Sequence, residues 1–316
     1  MKIVPHHTFS PAAGLHSGRV FSGATALLAA LVLMLAPAAA LSAGPASTPE
    51  SETPPELAVG TPPISVTYTG NEGFLISVGN WKILIDSLYH EGIATYVSPS
   101  RAQREEMETG QPPFDGVNVA LATHYHADHF HPEAVGRFLQ NNPTATFIST
   151  DQTREALSKA FPGYEDIKDR VRGLTPAEGG VAREKVGDLD IQILNLHHGR
   201  KRSVENIGFL IHAGGRTILH MGDTEATATD LSPLGLANKK IDLAFVPFWY
   251  LLTDGWQRAI RKQVAAERIV VMHLPAPDAN DKYINSLGGW EKVAADIKAA
   301  FPTATIFRQQ MESAQF

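Results

Sequence analysis

Cysteine is absent from this chain. That removes disulfides, thiolate metal sites and a thiol nucleophile together. It also excludes a lipoprotein anchor of the kind whose lipid is carried on a cysteine. The absence suits an oxidising compartment without naming one. A basic surplus is lacking too: 27 Lys and Arg face 33 Asp and Glu, for a net charge of -6. Phosphate backbones are bound by cationic surfaces, so nucleic acid is not an expected partner. Charged residues are 19% of the chain and hydrophobic residues 43%, enough to bury a full core. Its 316 residues suffice for one large domain or two modest ones.

The N-terminus carries a compartment signal. Lys2 and Arg19 precede an apolar run from Ala24 to Leu35, followed by Pro37 and the small residues up to Ala43. A basic region, an apolar region and a small-residue zone make a secretory signal peptide over residues 1–43, and imply a periplasmic or secreted protein. An uncleaved membrane anchor is the alternative, because the run just spans a bilayer if Ala38 to Ala43 are included. Pro37 and the alanines after it favour cleavage. Residues 44–63 are rich in Pro, Ser, Thr and Glu and read as a flexible linker.

From Ile64 the pattern changes. Strands are expected at 64–68, 73–78 and 81–85, with Gly79-Asn80 as a tight hairpin turn. A buried-type strand at 117–121 runs into a histidine cluster, and a helix at 132–139 begins with Pro132 in its first turn. A strand at 144–149 and a helix at 153–161 follow. Strands are expected at 171–174, 181–186, 189–196, 207–212 and 216–221, the last two turning at Gly214-Gly215. The end alternates: strand 241–246, helix 256–266, strand 268–272, helix 290–301, strand 305–307. Each half is a run of strands plus strand–helix units, so residues 64–316 suit two mixed sheets packed face to face with helices outside.

The run Thr123-His124-Tyr125-His126-Ala127-Asp128-His129 carries the chemistry. His124 and His126 are two apart at a strand end, so in extended backbone both side chains leave on one side and can reach one metal ion. Asp128 and His129 lie just beyond, where the chain turns towards a helix, and can point at a second ion. Imidazole and carboxylate suit zinc best, with iron or manganese open. One cluster cannot complete two sites. The missing ligands are expected at other strand ends, and three places fit: His197-His198-Gly199, Gly222-Asp223-Thr224, and His273.

The pattern His-x-His-x-Asp-His, then His, then Gly-Asp-Thr, then a late His resembles the metallo-β-lactamase-fold hydrolase superfamily. The resemblance covers nearly all of residues 64–307. It implies an α/β fold, a four-layer αββα sandwich of two mixed β-sheets with outer helices. It further implies that His124, His126 and His198 hold one divalent metal ion, that Asp128, His129 and His273 hold a second, and that Asp223 bridges them. His198, followed by Gly199, resembles the family's usual third motif; His197 is the alternative. Asp86, closing the strand 83–85, resembles the first motif, whose role is to support the ligand loop by hydrogen bonds.

The implied function is an exported, dinuclear metal-dependent hydrolase of an ester, lactone or phosphodiester, acting through a metal-bridging hydroxide. Asp128 would orient that nucleophile and pass its proton on. The alternatives are a phospholipase D-like hydrolase of lipid headgroups, favoured if Trp249 and Tyr250 are exposed beside the metals, and a metal-binding member that turns nothing over. The substrate is thus a small molecule or lipid-derived. Flavodiiron oxygen reductases of this fold carry a Glu near Tyr125, and its absence favours hydrolysis over redox work. β-Lactamases generally place Cys or Ser where this chain has Asp223, so β-lactam cleavage is the weaker expectation. Arg200, Lys201 and Arg202 are either an anion-holding loop or a solvated charge run. Phe248-Trp249-Tyr250 either walls a pocket or packs in the core, and Tyr89 and His90 are placed at the mouth. His131, His212 and His220 are read as structural, and His6, His7 and His16 fall in the signal region.

Overall fold

A computed structural model of the chain describes residues 60–90, 92–199 and 203–316. The expected signal segment with its three histidines, residues 44–59 of the expected linker and the Arg200-Lys201-Arg202 run lie outside the described residues. The last residues of that linker are tied to the fold: the Pro62 carbonyl accepts a hydrogen bond from Arg216 Nε at 3.0 Å. Among the described residues, no helix is long and apolar enough to cross a membrane.

Alternation along the first strands produces two faces. Ile64–Gly70 (β1), Gly73–Val78 (β2) and Trp81–Ile85 (β3) pair antiparallel, and Val78 sits opposite Trp81 across the Gly79-Asn80 turn. Phe74, Ile76, Ile83 and Ile85 point to one face, while Leu75 and Leu84 point to the other. Parallel strands extend this sheet: Val119–Leu121 (β4), Thr146–Ser149 (β5) and Val171–Gly173 (β6). The second sheet repeats the plan. Val181–Val186 (β7), Leu189–Asn195 (β8), Ile207–Ala213 (β9) and Arg216–His220 (β10) run antiparallel. Leu243–Pro247 (β11), Arg268–Met272 (β12) and Thr305–Ile306 (β13) then add in parallel. Ser313–Gln315 (β14) returns to pair with β1. The result is two mixed sheets of seven strands, ordered β14-β1-β2-β3-β4-β5-β6 and β13-β12-β11-β10-β9-β8-β7.

The inner faces of both sheets share one apolar core, in which Phe74, Ile76 and Ile83 meet Ile191, Phe209 and Phe245. Burying each such side chain contributes about 1.5–3 kcal/mol. The outer face of the first sheet buries Leu84, Ala120 and Phe147 against Val135, Phe138 and Leu139 of a helix at Pro132–Asn141. This is the expected αββα layering.

Several elements differ from the sequence reading. A helix at Arg101–Thr109 was not expected, because it buries only Met107 and Glu108 and shows no apolar periodicity. Its ends are nevertheless marked: Ser100 and Gln103 form a capping box, and Gly110 closes it at φ 66°. The helix expected at 256–266 is a short one, Asp254–Ala259, continuing as a π-turn over Ile260–Val264. A short helix at Lys282–Ser286 and the edge strand β14 were also unforeseen.

Candidate metal centre

Polar side chains gather where strands end. β3 runs into Asp86, β4 into Thr123 to His129, β8 into His198, β10 into Asp223 and β12 into His273. Loops at the ends of a rigid sheet are where converging side chains can be held without disturbing the core. Gly222 makes one of these turns possible. Its φ is +62°, and a Cβ there would lie 2.9 Å from the Ile207 carbonyl and 3.0 Å from Thr123 Cβ. Only glycine lets the Asp223 turn press against the Thr123 loop.

Two groups of ligating atoms result. One atom from each of His124, His126, His198 and Asp223 lies within 4.8 Å of the others, and the same holds for Asp128, His129 and His273. Asp223 touches both groups: its Oδ2 is 3.0 Å from His198 Nε2 and 3.6 Å from His273 Nε2. His198, not His197, stands in the first group. His197 turns away, its Nε2 3.2 Å from Asp230 Oδ2. Replacing His198 with Ala is therefore expected to weaken metal binding more than 100-fold, beyond the roughly 10–100-fold effect typical of supporting residues. His197→Ala should leave it near wild type. Equal losses in the two variants, read by equilibrium dialysis, would count against this distinction.

Asp86 sets the proton arrangement of both groups. Its Oδ1 accepts the Thr123 N–H at 2.7 Å and its Oδ2 accepts the Thr123 hydroxyl at 2.7 Å. The Thr123 hydroxyl oxygen in turn faces His124 Nδ1 at 3.1 Å, so it accepts the proton there. His124 then presents its Nε2 lone pair, which meets His126 Nδ1 at 2.9 Å. The same Asp86 Oδ2 accepts from His129 Nδ1 at 3.1 Å, turning His129 Nε2 towards Asp128 Oδ2 at 3.6 Å. These tautomers are assigned from the hydrogen-bond network. With Nδ1 as the donor, His129 Nε2 and Asp128 Oδ2 are both acceptors facing one another in a buried site and repel unless a proton or a cation stands between them, so the donor set fits a metal ion.

The electrostatics agree. Burial pulls the His129 imidazole down, but Asp128, Asp86 and Glu72 outweigh it and raise its pKa to about 10. Burial likewise lowers His273, while Asp223, Glu72 and Asp128 raise it to about 9. Burial would raise the Asp223 carboxyl, yet His273, His198 and His124 hold it well below the ordinary carboxylate range. Without another cation, the carboxylates recruit protons onto two of the imidazoles. A metal ion must displace those protons, since a ligating imidazole is neutral.

A third group, Glu72, Asp86 and His220, is a brace. His220 Nε2 donates to the Glu72 carbonyl at 3.0 Å, and its Nδ1 accepts the Gly222 N–H at 3.3 Å, so both ring nitrogens are committed. Burial, with Asp223 and Asp86 adding, outweighs His273 and His129 and pushes the Glu72 carboxyl up to about 8. Sequence reasoning did not single out Glu72 or its neighbour Asn71. Asn71 Nδ2 donates to Asp128 Oδ2 at 3.1 Å, and the only local signal was a Gly70-Asn71 turn dipeptide.

Aromatic rings surround the groups. Tyr96 meets His273 edge-on at 4.6 Å, Trp249 lies 5.2 Å from the same ring, and Tyr125, 40% exposed, packs 5.5 Å from His126. Other expected mouth residues are elsewhere. Tyr89 is buried in the core, and His90 pairs with Glu108 at 2.6 Å and stacks on His131. Phe248 and Tyr250 are buried, the Tyr250 hydroxyl donating to the Ala226 carbonyl at 2.7 Å. They pack because the chain after β11 turns back under the Thr224 loop, leaving Trp249 alone partly exposed.

Residues 82–279, more than half of the chain, match the family model described as a beta-lactamase superfamily domain. A UPF0173 metal-dependent hydrolase from Symbiobacterium thermophilum is 26% identical over 194 residues, covering 61% of this chain and 75% of that protein. Among solved structures, the metallo-beta-lactamase fold protein YhfI from Bacillus subtilis aligns with a TM-score of 0.53 at 17% identity, covering 80% of this chain and all of that one. CmlA, a diiron β-hydroxylase from Streptomyces venezuelae, aligns with a TM-score of 0.52 at 15% identity, covering 80% of this chain and 54% of that one. Likeness at this level is likeness of fold, and fold alone does not choose between hydrolysis and oxidation.

Proposed function

Since the chain belongs to the beta-lactamase superfamily domain family, we propose that it is a metal-dependent hydrolase holding two divalent cations and cleaving a small ester, lactone or phosphodiester. The observation that carries this reading is Asp223 Oδ2, 3.0 Å from His198 Nε2 in one group and 3.6 Å from His273 Nε2 in the other. A single carboxylate serving both groups suits a dinuclear centre. In this reading His124, His126, His198 and Asp223 hold the first ion, and Asp128, His129 and His273 hold the second with Asp223 shared. Imidazole nitrogen and carboxylate oxygen without thiolate suit zinc, with manganese or iron as the other candidates.

A divalent cation bound here supplies Lewis acidity, bringing the pKa of a coordinated water to about 7 and drawing charge from a carbonyl or phosphoryl oxygen. The chain supplies the rest. Asp86 keeps the lone pairs of His124 and His129 facing inward through the bonds described above. Asp128 is 5% exposed, open enough for one carboxylate oxygen to orient a water and take up its proton. No Ser or Cys nucleophile is required. The N-terminal 43 residues act in this reading as a cleaved signal peptide, placing the hydrolase in the periplasm or outside the cell.

Trp249 beside His273 favours a second reading, hydrolysis at a lipid headgroup, but buried Tyr250 supplies no second anchor. The test is a screen of lactones, phosphodiesters, phospholipids and β-lactams against metal-loaded and chelator-stripped protein. Turnover of a lactone or phosphodiester that vanishes on stripping is expected. Less than about one equivalent of bound transition metal, with no gain on adding zinc, would sink the reading.

A further inference from the structure

Asn71 is a puzzle for a turn residue. It sits between β1 and β2 at φ +50°, left-handed backbone that glycine adopts most easily, and glycines stand close by at 70 and 73. Asparagine tolerates this conformation but brings a polar side chain, and that side chain is 1% exposed. Its Oδ1 is buried without a hydrogen-bond partner. A residue serving the turn alone would avoid that cost.

The amide nitrogen points at the second group. Nδ2 donates to Asp128 Oδ2 at 3.1 Å, approaches the Asp128 carbonyl at 3.4 Å, and lies 3.5 Å from His129 Nε2. The opposite amide orientation would set two oxygens against each other, so the network fixes this one. The backbone takes part as well. The Asn71 carbonyl accepts the His273 N–H at 3.3 Å, and His273 itself is held left-handed at φ +59°. Non-glycine residues in that region are costly and persist only where surrounding bonds impose them. One residue thus touches Asp128, His129 and His273 together. These Asn71 bonds fall on the second group, whereas Asp86 serves both, reaching His124 through Thr123 and His129 directly.

We propose that Asn71 is a positioning residue particular to the second cation site: its side-chain amide fixes the Asp128 carboxylate, and its carbonyl fixes the strained His273 backbone. The inference rests on the two-cation reading above and adds selectivity to it. Loss of the amide loosens one site and spares the other. Partners that orient metal ligands in this way change affinity by about 10–100-fold when removed.

The experiment titrates cobalt(II) into metal-stripped full-length protein, followed by visible absorption and equilibrium dialysis, with melting of the metal-free protein alongside. Two variants separate side chain from backbone. Asn71→Gly removes the amide and keeps the left-handed turn unstrained, whereas Asn71→Ala removes it and adds strain. The wild-type chain is expected to take two equivalents. Both variants should bind the first normally and the second about 10–100-fold more weakly, although Asn71→Ala melts lower. A wild-type second equivalent in Asn71→Gly overturns the inference alone. So does loss of both equivalents with a collapsed melting temperature, which would assign Asn71 to the turn only. Fewer than two equivalents on the wild-type chain overturns the two-cation reading, and this inference with it.

Discussion

Asp223→Ala is expected to lower bound metal below two equivalents and to reduce hydrolysis by about 10³-fold or more. The reason lies in what the carboxylate faces. Its Oδ2 stands 3.0 Å from His198 Nε2 and 3.6 Å from His273 Nε2, so a single side chain supplies negative charge to both groups. The surrounding imidazoles keep it ionised even though it is buried. Alanine removes that charge, leaving the first group with imidazoles alone and the second with Asp128 as its one ligating carboxylate, so less negative charge offsets a cation's desolvation. Elemental analysis of purified protein and kcat/KM on a substrate found in the screen check both halves. Asp230→Ala is the control: it loses a helix-capping contact to Thr227 and the contact to His197, costing about 1 kcal/mol, and should leave metal content intact. Two tightly bound equivalents and full turnover in Asp223→Ala would show that this residue does not join the groups.

The second large effect falls on Asp86. Its carboxylate is fully buried and accepts from the Thr123 N–H, the Thr123 hydroxyl and His129 Nδ1. Asp86→Ala strands three donors in a site without solvent. Breaking a buried network of this kind costs about 3–5 kcal/mol, which denaturant unfolding reads as a lower midpoint at unchanged slope. The functional consequence is separate. Asp86 is the common acceptor that holds His124 in one group and His129 in the other, so both metal affinities should fall, each by about 10–100-fold. Asn71 variants weaken one site where Asp86 variants weaken two. A stability loss under about 1 kcal/mol with both affinities unchanged would mean that Thr123 and His129 hold their orientation without it.

Much of this was readable from residue order. Period-2 alternation in 64–85 and the Gly79-Asn80 and Gly214-Gly215 turns specify hairpins, because turn chemistry and register are local. The spacing of His124, His126, Asp128 and His129 places four candidate ligands on one strand end for the same reason. The helix at Arg101–Thr109 escaped because its signal lies in its caps, and its buried side covers two residues only. Tyr250 and Trp249 are adjacent and similar, yet one is buried against Ala226 and the other faces His273. No pattern in the sequence distinguishes them.

The candidate ligands were therefore fixed by local order, as were the two mixed sheets that carry them. Tertiary structure decided the rest. It put His198 in the first group and turned His197 to Asp230, a choice of strand exit angle between two identical neighbours. It set Asp223 between the groups by pressing Gly222 against Thr123. It also brought Asn71 beneath Asp128 across 57 positions of chain. Such contacts depend on how two sheets stack, and stacking sums burial over the whole core, which no short window of sequence records.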